Sequence, residues 1–255
     1  MAQLIAYDAV SEVAEVSTSS RTWSHTCTGD NRILFVSVAD TGNLGENVTG
    51  VTYNSVALTK IIGQLKSNDS FLTLWYLIAP ATGANDIVVS LNTTGYTKCS
   101  ATSYTGAAQS GQFDDAGDST SSQVTSGSIT ETLTTDTDDM WGVSAALTDV
   151  GLSSGTNATI RGSLNSVHAH YDSNGSLGSV GSKSMTMTIA SSQVVIGVMG
   201  VIKSAVSSST SSSTSSSTSS STSSSTSSST STLITVIEDF IPLGDIDTLS
   251  LYGSR

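Results

Sequence analysis

Charged side chains are scarce in this chain of 255 residues, at 12% of the total, about half of the roughly 25% carried by an average soluble domain. Ser, Thr, Gly and Asn fill the gap and give a polar, hydroxyl-rich surface. Basic residues are scarcer still, 9 against 21 acidic ones, for a net charge of −12. Nucleic-acid binding needs a basic patch that neutralises phosphates, and the sequence supplies none, so DNA and RNA are set aside as partners. Cysteine occurs only as Cys27 and Cys99, which fit neither a CxxC metal spacing nor a disulfide-dense scaffold. Two buried thiols are the expectation, and a single bridge between them is the alternative.

Long apolar runs are absent: no stretch approaches the roughly 18 residues that a membrane-spanning helix requires, so no membrane partner is expected. The opening Met-Ala-Gln-Leu-Ile-Ala-Tyr-Asp has no basic region and is followed by Glu12 and Glu15, so it does not read as a secretory signal. A hydroxyl-rich, exterior-looking chain without such a signal fits assembly inside a cell and release on a particle, as in a virus. A removed leader or a non-classical secretion route would also account for it.

Catalytic motifs are missing as well. There is no HExxH, P-loop or GxGxxG, and no GxSxG set between a strand and a helix, and neither enzymatic activity nor a cofactor is expected. His168, His170 and Asp172 alternate along one β-prone run, so they share a strand face and are the nearest approach to a metal-ligand set. Three ligands on one strand without Cys or Glu support make a poor site, and a solvated strand face is the simpler expectation. His25, between Trp23 and Cys27, reads as a packed or surface residue. The acidic groups Asp114, Asp115 and Asp118, and Asp136, Asp138 and Asp139, are candidate calcium loops, but neither matches an EF-hand; acidic turns are the alternative.

What the sequence does contain, from residue 1 to about 205, is a series of short β-prone runs separated by turn residues. The clearest are 32–39, 48–53, 56–62, 71–78, 87–91, 99–104, 141–147, 167–171, 185–189 and 194–202. Met185, Met187 and Ile189 alternate with Thr186 and Thr188, as expected of a strand with one buried face. The denser run 194–202 predicts a central strand. About ten such strands predict an all-β head at 1–205, a jelly-roll-like sandwich of two antiparallel sheets.

Six perfect Ser-Ser-Ser-Thr copies then occupy 207–230. A segment without apolar side chains cannot offset its ordering entropy by packing on itself, so 206–232 is read as a spacer. Residues 233–255 turn apolar again, with Leu233, Ile234, Ile237, Phe240 and Ile241 at helical spacing before Pro242. So short a segment cannot hold a core alone, which predicts an anchor that docks on a partner or on copies of itself. Trp23, Tyr96, Tyr104 and Tyr171 are the candidate platforms for a sugar ring, and each is equally consistent with edge packing.

Val-Thr-Gly-Val-Thr-Tyr-Asn-Ser-Val-Ala-Leu-Thr-Lys at 48–60, Leu-Trp-Tyr-Leu-Ile-Ala-Pro-Ala-Thr-Gly at 74–83 and Ser-Tyr-Thr-Gly-Ala at 103–107 together resemble a recurring β-sandwich module. The module belongs to virion surface proteins of tailed bacteriophages and to some bacterial surface proteins. The resemblance covers about half of the head and carries no catalytic residues. It implies a capsid decoration or a head-fibre or tail-fibre-like protein at the virion surface. The partners it implies are capsid or tail proteins, with a homo-oligomer, a trimer first, and a host-surface glycan as a further ligand. A carbohydrate-binding adhesin module and a self-assembling extracellular filament are the competing expectations.

Overall fold

A computed structural model describes residues 4–42, 45–67, 70–113, 119–165 and 167–205. The spacer, the C-terminal segment with its five anchor residues, and the acidic group at 114–118 lie outside the described residues. Among those described, the chain is all-β, with thirteen strands in two antiparallel sheets.

The first sheet holds β1 (Ala6–Cys27), β2 (Ile33–Thr41), β3 (Val48–Tyr53), β4 (Val56–Ala57), β5 (Thr59–Lys66), β6 (Ser70–Ile78) and β7 (Gly83–Thr105), in the order β4-β3-β7-β2-β6-β5 with β1 along β7. The second holds β8 (Ser119–Thr135), β9 (Trp141–Thr148), β10 (Leu152–Ser154), β11 (Thr159–Leu164), β12 (His168–Ser176) and β13 (Gly181–Ile202), in the order β10-β13-β9-β12-β11 with β8 along β13. The runs at 87–91 and 99–104 are the two ends of the single strand β7, and those at 185–189 and 194–202 are the two ends of β13. Conversely, the run at 56–62 divides between β4 and β5.

The two sheets repeat one another residue by residue. Phe35, Ser37 and Ala39 pair with Tyr76, Leu74 and Leu72 on one side and with Thr102, Ser100 and Lys98 on the other. Val143, Ala145 and Leu147 pair with Asp172, His170 and His168 on one side and with Gly200, Val198 and Ile196 on the other. In every row the second-half residues lie 108, 96 and 98 positions beyond their first-half counterparts. The edges follow suit: Ser20 pairs with Ser90 as Ser128 pairs with Thr188. A bulge between Lys60 and Ile62 recurs between Ile160 and Gly162. Asn31 and Asp139, 108 apart, both adopt positive φ, 51° and 58°, a conformation that short polar side chains tolerate best. The Asn92 amide donates to the Asn47 carbonyl as the Ala190 amide donates to Gly151. The described part of the chain is thus a structural duplication.

Alternation on the central strands sorts the apolar side chains into three cores. Leu34, Val36 and Val38 of β2 pack with Trp75, Ile87, Val89 and Cys99 inside the first half. Ala146 packs with Tyr171, Met185, Met187 and Met199 inside the second. The opposite faces, Ile33, Phe35, Leu72, Leu74 and Tyr104 from one half and Trp141, Val143, Ala145, Leu147, Ile196 and Val198 from the other, form a third core between the halves. Strands β2 and β9 are therefore buried on both faces, and this explains the apolar density of their sequences, which only Ser37, Asp40 and Ser144 interrupt before the terminal Thr of each strand.

Candidate functional site

The three histidines fall into two buried clusters, one within the first half and one between the halves. His25 belongs to the first. The register of β1 against β7 turns Trp23, His25 and Cys27 inward, where a chain of hydrogen bonds links them to polar neighbours. Trp23 Nε1 donates to Ser11 Oγ at 3.0 Å, and Ser11 Oγ lies 2.8 Å from His25 Nδ1. His25 Nε2 lies 3.1 Å from Ser103 Oγ, which donates to Asp8 Oδ2 at 2.8 Å.

The direction of these bonds fixes the chemistry. Ser103 spends its only proton on Asp8, so it accepts from His25 Nε2–H, and Nδ1 accepts from Ser11. An imidazole that donates to the serine cannot serve as its general base, and the carboxylate sits behind the serine rather than behind the histidine, the reverse of a nucleophilic triad. Burial pushes the His25 imidazole down to about 4 against a smaller upward pull from Asp8, so the ring is neutral near pH 7.

The second cluster corrects the expectation of a solvated strand face for His168, His170 and Asp172. The three do alternate along one face of β12, but all are buried, and that face is turned into the seam between the halves. His168 Nε2 is hydrogen-bonded to Ser37 Oγ at 3.1 Å. The His170 ring faces the Ser100 backbone without a hydrogen bond of good geometry. Both carboxylate oxygens of Asp172 are occupied: Arg161 Nε donates to Oδ2 at 2.7 Å and the Asn174 amide to Oδ1 at 2.9 Å. The Arg161 guanidinium also lies 4.5 Å over the Tyr7 ring, a cation–π contact. Among the described residues no group of three His, Cys, Asp or Glu side chains is placed to hold a metal. Burial, then mutual repulsion with His170 and with Lys98, pushes His168 down to about 3, and burial does the same to His170.

The aromatic candidates divide sharply. Trp23, Tyr104 and Tyr171 are core residues, which corrects their reading as sugar platforms; Tyr104 meets Tyr7, Phe35 and Trp141 edge-on. Tyr96 alone of the four is exposed, at 53%. Cys27 and Cys99 are free and buried, and burial raises both thiols, Cys99 to about 12. Of the acidic group at 136–139, Asp138 accepts the Val180 amide and Asp139 the Ser176 hydroxyl, both of which tie turns together.

Sequence reasoning missed Ser11, Ser37, Ser103 and Arg161, which bond to the histidines or to Asp172, and Asp8, which bonds to Ser103. Ser and Asp are too common in this composition to stand out, and only strand register brings them within reach. No family model matches the chain, and no curated protein or solved structure matches it at significance.

Proposed function

We propose that this chain is a non-enzymatic structural protein of a virion surface: a jelly-roll-like head on a Ser/Thr stalk, with residues 233–255 as the anchor. On this reading it is a capsid decoration or a head-fibre or tail-fibre-like protein. The observation that carries the proposal is the placement of the reactive side chains. His25, His168, His170, Cys27 and Cys99 are buried, and the serine–histidine–aspartate chain found among the described residues runs in the wrong direction for a nucleophile. The hydroxyl-rich composition and the resemblance over 48–107 add support, since both suit a module displayed from a particle.

Immunogold electron microscopy of particles from the native source tests the assignment. Label on capsids or tails is expected; label confined to free fibres or cell surfaces overturns it. Deleting 233–255 should leave soluble heads that no longer bind particles. The adhesin reading now rests on Tyr96, with the exposed Val16 on the neighbouring strand. Glycan-array binding lost on Tyr96→Ala would favour that reading instead.

A further inference from the structure

The duplication supplies an internal comparison for the seam between the halves. Two equivalent strips close it: β6 packs on β13, and β12 packs on β7. The first strip is apolar, with Leu72 and Leu74 against Ile196 and Val198. The second places His168 and His170, the counterparts of Leu72 and Leu74, by Lys98 and Ser100, the counterparts of Ile196 and Val198. One interface geometry is therefore filled with hydrocarbon on one side and with titratable groups on the other.

We propose that the histidine strip is an acid-sensitive joint, along which the two halves part when His168 and His170 take up protons, while the leucine strip holds as the hinge. This inference rests on the seam alone and does not depend on the virion assignment. A proton on either imidazole creates a charge in a space where, among the described residues, Glu12 is the one acid without a cation partner. The facing groups are these. On β7, Lys98 is ion-paired with Glu15 of β1, and the Tyr104 hydroxyl is held neutral by burial and by Asp172. On β11, Arg161 is paired with Asp172 of β12 itself. On β1, Tyr7 stacks under Arg161, and His25 lies across the sheet, where it adds to the repulsion on His170. On β2 the facing partner is the neutral Ser37.

Glu12 is the remaining acid at the seam. It lies where β11 passes closest: a methyl group on Gly162 would sit 2.6 Å from Glu12 Oε1 and 2.8 Å from Ser100 Oγ. Burial raises the Glu12 carboxyl, so it gives up its charge earlier on acidification than an ordinary carboxylate does, and its capacity to offset a new imidazolium shrinks as pH falls. Lys98 and Arg161 bring only positive charge to the strip. Each proton bound at the histidines therefore raises the uncompensated positive charge of the strip, and the charge is relieved by admitting water between β12 and β7. The leucine strip has no titratable counterpart at the same positions and keeps its contacts.

Hydrogen exchange of the full chain, read by mass spectrometry between pH 7.5 and 4.5 with rates corrected for intrinsic pH dependence, tests the joint. The expected result is a tenfold or greater loss of protection in β11 and β12 below about pH 5.5, with β6 and the first-half core strands still protected. In the double variant His168→Leu and His170→Leu, which imports the residues of the other strip, that loss should disappear. The double variant His168→Asn and His170→Asn, polar but without charge, provides a second test if the leucines misfold. Uniform loss of protection across all strands, no loss down to pH 4.5, or the same loss in a folded variant would each overturn the proposal.

Discussion

Ser37 Oγ and His168 Nε2 lie 3.1 Å apart, and the bond between them crosses from the first sheet to the second. Both residues are fully buried. Ser37→Ala removes the partner and leaves an imidazole nitrogen unsatisfied in the seam, at a cost of about 1–3 kcal/mol. Urea denaturation should show a lower midpoint with an unchanged slope.

Truncation in the apolar strip should cost more. Leu74 is fully buried between the halves, and Leu74→Ala should destabilise by about 2–5 kcal/mol through lost transfer energy and the cavity left behind. Val16, 44% exposed on β1, is the control, and Val16→Ala should stay within about 0.5 kcal/mol. Equal effects at the two sites, in the same denaturation experiment, would contradict the assignment of the interior.

Asp172 is fully buried and the Arg161 side chain is 16% exposed. Asp172→Asn keeps the shape but strands a guanidinium in the seam, and breaking such a pair costs about 3–5 kcal/mol. Arg161→Met, which leaves Asp172 without its cation, should cost a similar amount by differential scanning calorimetry. The double variant should recover part of either loss.

The pH dependence of stability follows from the three imidazoles. Their folded-state proton affinities lie below that of an unfolded histidine, near pH 6.5, with His25 at about 4 and His168 and His170 at about 3. The unfolded chain therefore binds more protons, and the stabilisation is complete above about pH 6.5 and drains as pH falls toward those values. Three sites set an upper slope of about 4 kcal/mol per pH unit. Glu12 and Glu131, raised by burial, act in the opposite sense just above the unfolded carboxylate value of 4.5, where the folded chain binds the extra proton, and so offset part of the loss there. Calorimetry should show a melting temperature that is flat above pH 7 and falls between 6.5 and 4.5.

The strands legible in the sequence are those with apolar density. Arg32 to Ala39 and Trp141 to Leu147 stand out because β2 and β9 are buried on both faces. Strands β1 and β8 are not legible in the sequence, since they lie at sheet edges and their sequences are dominated by Ser, Thr and Glu. An edge strand is held by backbone hydrogen bonds and needs little apolar patterning of its own. The histidine run at 168–172 was placed on one strand face correctly, but its direction could not be inferred from a motif that looks polar.

By itself the sequence determined the all-β class, the burial of both thiols and the central position of the strand at 194–202, because period-two alternation and apolar density are local properties of the chain. The duplication and the seam were decided by tertiary structure alone. Counterparts such as Ser37 and Ala145, or Leu74 and His170, share a place in the register without sharing chemistry, because backbone pairing fixes position while each side chain answers to whatever faces it. Ser37 and His168 are neighbours only because two sheets, formed from segments 131 residues apart, bring their outer faces together.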